Sequence, residues 1–240
     1  AVLAPVRALM PRHAGHRYSG SIPVSASAQP QGLPRHGQRL VERLGPAGYA
    51  SVNGIALAPV DCFQTPLGNV DQNQAALADL AHDSRTYQPL IQAHEPEHCL
   101  EVQLPFLQMI LDDFSLVPFL VGEATTTEVA EVLERLWGGD ETLIVVSSDL
   151  SHYLDYASAK RLDQATSQAI ADLDPAAIGD DQACGRNPVK GLLRAARHHG
   201  LQGRILDLRN SGDTAGSRDR VGGYGAFAFA PGGFHEDPAP

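Results

Sequence analysis

Two short stretches of the chain carry residues whose types and spacing could do chemistry. Residues 12–20, RHAGHRYSG, set His13 and His16 three apart, and residues 147–153, SSDLSHY, set Asp149 three residues before His152. A histidine oriented by a carboxylate is the usual arrangement for a general base near neutral pH. A third candidate is Cys184, in CGRNP. The start of a helix just beyond it and the neighbouring Arg186 would both favour the thiolate, the form that binds metal or attacks carbon. Each residue also has a structural reading. A lone histidine is commonly a hydrogen-bonded loop or core residue, Asp149 could cap a turn, and a lone cysteine is most often a small buried hydrophobe. NSGDTAG (210–216) reads either as a plain turn or as a nest of backbone amides that holds an anion.

The elements that must position these residues are short apolar runs alternating with amphipathic segments, the pattern of an α/β fold. FSLVPFLVG (114–122) and TLIVVSSDL (142–150) read as strands buried on both faces. Between them Val129, Val132, Leu133 and Leu136 fall at helical spacing behind capping threonines, which predicts a βαβ unit. A further helix is punctuated by Asn187 as N-cap, Pro188 in the first turn and Gly200 just past the end. GGYGAFAFA (222–230) reads as a closing strand. In open α/β sheets ligands gather outside the carboxyl ends of strands. The polar stretches after RALM, VERL, LIVV and LDL are therefore the places for a site. One domain is expected over residues 1–230, followed by a loose tail at 231–240.

Composition narrows the function classes. The chain has 240 residues, 43% of them hydrophobic, and no apolar run approaches the about 20 residues of a membrane span. The opening AVLAPVRALM is too interrupted for a signal peptide, so the expectation is a cytoplasmic protein with no membrane partner. A net charge of −10 without a basic stripe argues against nucleic acid. Three cysteines make no disulfide framework. Small molecules or protein surfaces are the expected partners.

HAGHRYSG (13–20), FQTPLG (63–68), EHCLEVQLPF (97–106), VPFLVG (117–122), SSDLSHY (147–153), CGRNPV (184–189) and NSGDTAG (210–216) occur in an order and spacing that resembles the Memo-like family, also known as AmmeMemoRadiSam system protein B. The resemblance implies a single three-layer α/β domain, a mostly parallel sheet flanked by helices, similar to the LigB-like class III extradiol dioxygenases, which open catechol rings with a non-haem iron. It implies metal-site roles for His13 and Cys184 and a catalytic role for His152 with Asp149. His16 stands where the family commonly has tyrosine, so it is not an implied ligand. The family's EHSLE motif falls on Glu97, His98 and Glu101, with Cys99 in place of serine. Glu97 and Glu101, four apart, would share one face of a helix if it begins there, and brace the site.

The departures bear on activity. Where the family typically reads GPSHH or GPSHR, this chain reads GPAGY, so Gly48 occupies a metal-ligand position with no side-chain donor. Arg12 intrudes between Pro11 and His13, and the expectation is that the family's usual N-terminal lead, and with it one wall of the pocket, is absent. Cys184 stands where the ring-opening enzymes carry a carboxylate; such a soft donor suits copper(I), zinc or reduced iron. Two expectations follow. One is a crevice with a degenerate metal site that binds a small molecule or peptide. The other is a metal-dependent oxidoreductase using iron or copper, with zinc as a third candidate metal.

Overall fold

The computed structural model describes residues 7–10, 39–47, 51–82, 87–97, 99–111, 113–214 and 216–232. His13, His16, Gly48, His98 and most of the expected tail, from residue 233 onward, lie outside the described residues. The elements run β1 (Arg7–Met10), β2 (Arg39–Pro46), β3 (Ile55–Leu57), β4 (Cys62–Thr65), β5 (Gly68–Asp71), α1 (Gln74–Ala81), β6 (Tyr87–Pro89), α2 (Ile91–His94) and α3 (Leu104–Ile110). Then come β7 (Phe114–Val121), α4 (Thr126–Leu136), β8 (Thr142–Ser147), β9 (His152–Leu154), α5 (Tyr156–Ala171), α6 (Arg186–His198), β10 (Leu201–Asn210) and β11 (Val221–Pro231).

The described residues form a nine-stranded sheet in the order β10-β11-β1-β8-β2-β7-β3-β6, with β9 paired to β11, and a separate β4–β5 hairpin. Its centre, β1-β8-β2-β7, is parallel, and β11 against β1 and β3 against β7 are antiparallel. All eight residues of β7 are buried, as an apolar strand covered on both faces must be. Successive side chains along a strand point to opposite faces. Ile144 and Val146 therefore join one apolar cluster with α1, α4, α5 and α6, whereas Val145 joins another with Leu100, Leu104 and Leu107. This is a mixed α/β domain in three layers. No helix among the described residues is long and apolar enough to cross a membrane.

The expected βαβ unit is β7–α4–β8, with β2 lying between its two strands. Thr125 caps α4 through a reciprocal pair with Glu128: the Glu128 amide donates to Thr125 Oγ1 at 3.2 Å and the Thr125 amide to Glu128 Oε2 at 2.7 Å. Three boundaries differ from the sequence expectation. β7 stops at Val121, after which the Gly122 and Glu123 amides bond Gly54 O and Val52 O, and β8 stops at Ser147, after which the Asp149 amide bonds Cys184 Sγ. The N-cap of α6 is Gly185, not Asn187. Gly185 lies so close to Ser147 O and Ser148 Cβ that a Cβ would stand 2.8 Å from each, and Asn187 instead donates from Nδ2 to Gly122 O at 3.0 Å. Gly200 sits just past α6 at φ +64, where a Cβ is disfavoured.

Register decides where a site can form. Met10 of β1 lies opposite Ser147 of β8, Leu44 of β2 opposite Val146, and Pro46 opposite Val121 of β7. The carboxyl ends of four central strands are thus level. α6 packs on α4 through Gly191, where a Cβ would run into the side chain of wholly buried Val129. Gly191→Ala gains about 1 kcal/mol of helix propensity, but overpacking a stiff β-branched neighbour costs about 1–3 kcal/mol. The expected net result is a loss of about 1 kcal/mol, read from the urea midpoint. A stabilised variant would show that α4 and α6 can separate without cost.

Candidate functional site

At the end of β8 the chain passes from Ser147 into Ser148 and Asp149, both buried, and there meets the turn that starts α6. The Asp149 amide donates to Cys184 Sγ at 3.2 Å, and the Cys184 amide donates back to Asp149 O at 3.3 Å. The Gly185 amide donates to Ser148 Oγ at 2.9 Å, and that hydroxyl donates to Asp149 O at 2.7 Å. Only glycine at 185 permits this approach. Two segments 35 residues apart are thereby joined at the rim of the sheet.

Asp149 also reaches forward. His152 Nε2 lies 3.3 Å from Asp149 Oδ2, and since a carboxylate accepts, the ring nitrogen donates. The Asp149 side chain is 4% exposed and that of His152 is 35% exposed, so the carboxylate is internal and the ring opens to the rim. Asp149 Oδ1 is buried and has no hydrogen-bond partner among the described residues. Within β9, Tyr153 is a non-glycine residue at φ 62. That left-handed geometry costs about 1–2 kcal/mol. It accompanies an outward Tyr153 ring, with Arg220 over its face at 5.0 Å. β9 then docks on β11 across a register shift between Val221 and Gly222.

Arg186 is held by Asp180, Nε to Oδ1 at 3.2 Å, so its charge is shared with that exposed carboxylate. Against the sulfur stand the Asp149 amide at 3.2 Å and the Ser148 Oγ at 3.8 Å; the amides that open α6 are spent elsewhere, Gly185 on Ser148 Oγ and Arg186 on Ala183 O. Glu97 and Glu101 do not share a helix face. Glu97 is buried and accepts the Cys99 amide at 3.1 Å, Glu101 opens a 3-10 turn, and α3 starts only at Leu104, with Pro105 in its first turn. The segment packs on the end of β2, where a Cβ at Gly45 would collide with Cys99 Sγ.

Asp163 escaped the sequence reading. It projects from α5, is almost wholly buried, and receives the Ser151 amide at 2.9 Å and the Ser151 hydroxyl at 3.1 Å. It thereby anchors the loop between Asp149 and His152. Its signal was a charge among Ala159, Thr166 and Ile170, the buried face of that helix. A cavity of about 500 Å³ opens beside it, between α5 and β10, lined by Tyr156, Lys160 and Arg209 among others. Asp149, His152 and Cys184 do not line that cavity.

The family resemblance implies a metal at this rim. Among the described residues, Asp149, His152 and Cys184 do not bring three ligand atoms together around one point, and Gly48 offers no donor. The residues described do not fit the usual three-donor set.

Two measurements follow. Cys99 is fully buried; Cys62, in the β4–β5 hairpin, and Cys184 are both partly exposed, and Cys184 has a backbone amide aimed at its sulfur. Alkylation at neutral pH with mass mapping should label Cys184 first; faster labelling of Cys62 or Cys99 contradicts the geometry. Burial pushes the Asp163 carboxyl above its ordinary value, against the Ser151 hydrogen bonds that lower it. The folded state therefore holds a proton that the unfolded chain releases above about pH 3.9. That contribution is complete below the unfolded value and is lost as pH rises through the folded one. The urea-midpoint advantage of wild type over Asp163→Asn should shrink across that window. A difference independent of pH would contradict it.

Comparison with known proteins places this geometry in a family. A Memo-like protein family model matches residues 3–228. A MEMO1 family protein of Aeropyrum pernix is 34% identical, the match covering 91% of this chain and 82% of that one. One from Ignicoccus hospitalis is 31% identical, over 90% and 80% of the two chains. The crystal structure of an uncharacterized protein from Escherichia coli K12 shares the fold with a TM-score of 0.58 at 10% identity, covering 95% of this chain and all of that one. With the family model spanning nearly its whole length, the chain belongs to the Memo-like family.

Proposed function

We propose that the rim where β8 meets α6 is a ligand-binding crevice that takes a small molecule or peptide through a hydrogen-bond donor. The observation that carries this reading is Asp149. It spends Oδ2 on His152 and its amide on Cys184, and Oδ1 stays buried with no partner among the described residues. An unsatisfied buried acceptor costs about 1–3 kcal/mol. A ligand N–H or O–H reaching Oδ1 recovers that cost. His152, oriented through Nε2, stands at the rim beside that acceptor, where an imidazole is suited to proton transfer near neutral pH. Cys184 supplies a polarisable edge.

A second reading, a metal-dependent oxidoreductase resembling the extradiol dioxygenases, draws on one observation: Asp149 holds both a sulfur and an imidazole at the end of β8, Cys184 through its amide and His152 through its carboxylate. Iron, copper and zinc are the metals that such donors would take. Gly48 weighs against it, because a two-donor remnant holds divalent metal weakly.

A fragment library screened by amide chemical shifts tests the first reading. Hits should perturb residues 148–152 and 184–186 and weaken by about tenfold in Asp149→Asn, the loss of roughly one charge-assisted hydrogen bond. Hits confined to the α5–β10 cavity would overturn it. Metal analysis of wild type and Cys184→Ala, as isolated and after anaerobic iron or copper loading, separates the second. One equivalent of metal in wild type that is lost in Cys184→Ala establishes the metal reading and displaces the first.

A further inference from the structure

At the far end of α6 from Cys184, a second group of donors converges. Glu134, in the last turn of α4, faces His198 and His199, the last residue and C-cap of α6. His198 Nδ1 lies 2.8 Å from Glu134 Oε1, and His199 Nε2 lies 2.7 Å from Oε2. Each ring therefore uses its own oxygen of one carboxylate. The three ligand atoms lie within 4.8 Å of one another, and this is the one such grouping among the described residues. We propose that Glu134, His198 and His199 form a binding site for a divalent transition metal, of the zinc class, that clamps the C-terminal ends of α4 and α6.

Two imidazoles and one carboxylate are a known donor set for zinc, with water completing the shell. Metal–ligand bonds of about 2.0–2.2 Å put tetrahedral ligand atoms about 3.3 Å apart. The two ring–carboxylate contacts would open by about half an ångström, and the wider separations in the group, which lie within 4.8 Å, would close toward the same value. Proton balance is straightforward. Each ring now donates through the nitrogen that would ligate, so binding moves that hydrogen to the ring's other nitrogen, or the ring gives up a proton from its charged form, and the freed lone pair meets the metal. His198 is 73% exposed, which leaves its other nitrogen open to water.

Three further features favour a cation here. The C-terminal ends of two helices, each carrying partial negative charge, meet at the cluster. Burial opposes ionisation of Glu134, but the hydrogen bonds from both rings prevail and hold its carboxyl below its ordinary value. The neighbouring cation Arg135 is turned away and paired with Asp79 at 2.9 Å. The His199 ring is also fixed in advance, stacked on Trp137 with centroids 3.8 Å apart and planes 6° from parallel. A ligand held in one orientation loses little freedom on binding. The 13 residues of α6 separate this cluster from the Cys184 rim by about 20 Å, so the two sites act independently.

The test uses zinc(II) or cobalt(II) alone, titrated into the full chain and into His198→Ala/His199→Ala, Glu134→Gln and Cys184→Ala. Wild type and Cys184→Ala should bind one equivalent of zinc at this site and melt at higher temperature as zinc is added. The double variant should bind about tenfold more weakly or worse and lose the melting shift. Cobalt bound here should show a nitrogen and oxygen spectrum that lacks the sulfur-to-metal band expected of a Cys184 site. His198→Ala alone removes one donor without disturbing the His199–Trp137 stack, so it gives the same answer if the double variant does not fold. Zinc bound equally by wild type and either histidine variant, or zinc lost only in Cys184→Ala, would overturn the proposal. So would wild type that fails to bind zinc at millimolar concentration.

Discussion

Everything at the rim depends on how closely the chain leaving β8 approaches the chain entering α6. Asp149 and Cys184 exchange a pair of hydrogen bonds, amide to sulfur and amide to carbonyl, while Gly185 lies under the Ser148 hydroxyl. A side chain at 185 would stand 2.8 Å from Ser147 O, so the clamp closes only over glycine. Once closed, it buries Asp149 and fixes the direction in which its carboxylate leaves the backbone. His152 can then be oriented, and Asp163 holds the intervening Ser151 from below. The left-handed backbone at Tyr153 belongs to the same arrangement, since the His152 ring turned to Asp149 and the exposed ring of Tyr153 are consecutive.

The sheet supplies this clamp with neighbours. β1 and β2 flank β8, and the level register at Met10, Ser147 and Pro46 brings the exits of β1 and β2 to the same edge. A parallel centre does this as a matter of geometry, because all of its strands point the same way. The antiparallel flanks have another use. β11 carries β9, and through β9 the His152 backbone, so the far side of the domain also holds the rim in place.

Much of this was legible in the sequence, and the limits have physical causes. β7 and β8 announced themselves through uninterrupted apolar runs, and α4 through its spacing and its threonine cap, because those signals are local. The pairing of Asp149 with His152 was also local, three residues apart. The contact of Asp149 with Cys184 was legible only as a guess that strand ends and helix starts share a rim, since it spans 35 residues. Asn187 looked the better cap by residue type, but the close approach at Ser147 and Ser148 gave that place to Gly185. Asp163 was hidden because one buried carboxylate in an amphipathic helix resembles a solvent-facing charge until its partner is known. The Glu134–His198–His199 group was missed for the same reason: its members meet only after α4 and α6 pack.

Asp149 fixes His152 through Nε2, and the nitrogen-15 spectrum of the His152 ring in the neutral, ligand-free protein measures this directly. The expected result is a single tautomer with its proton on Nε2, donated to Asp149 Oδ2. A ring carrying its proton on Nδ1, or the rapid tautomer mixture of a free imidazole, would contradict it.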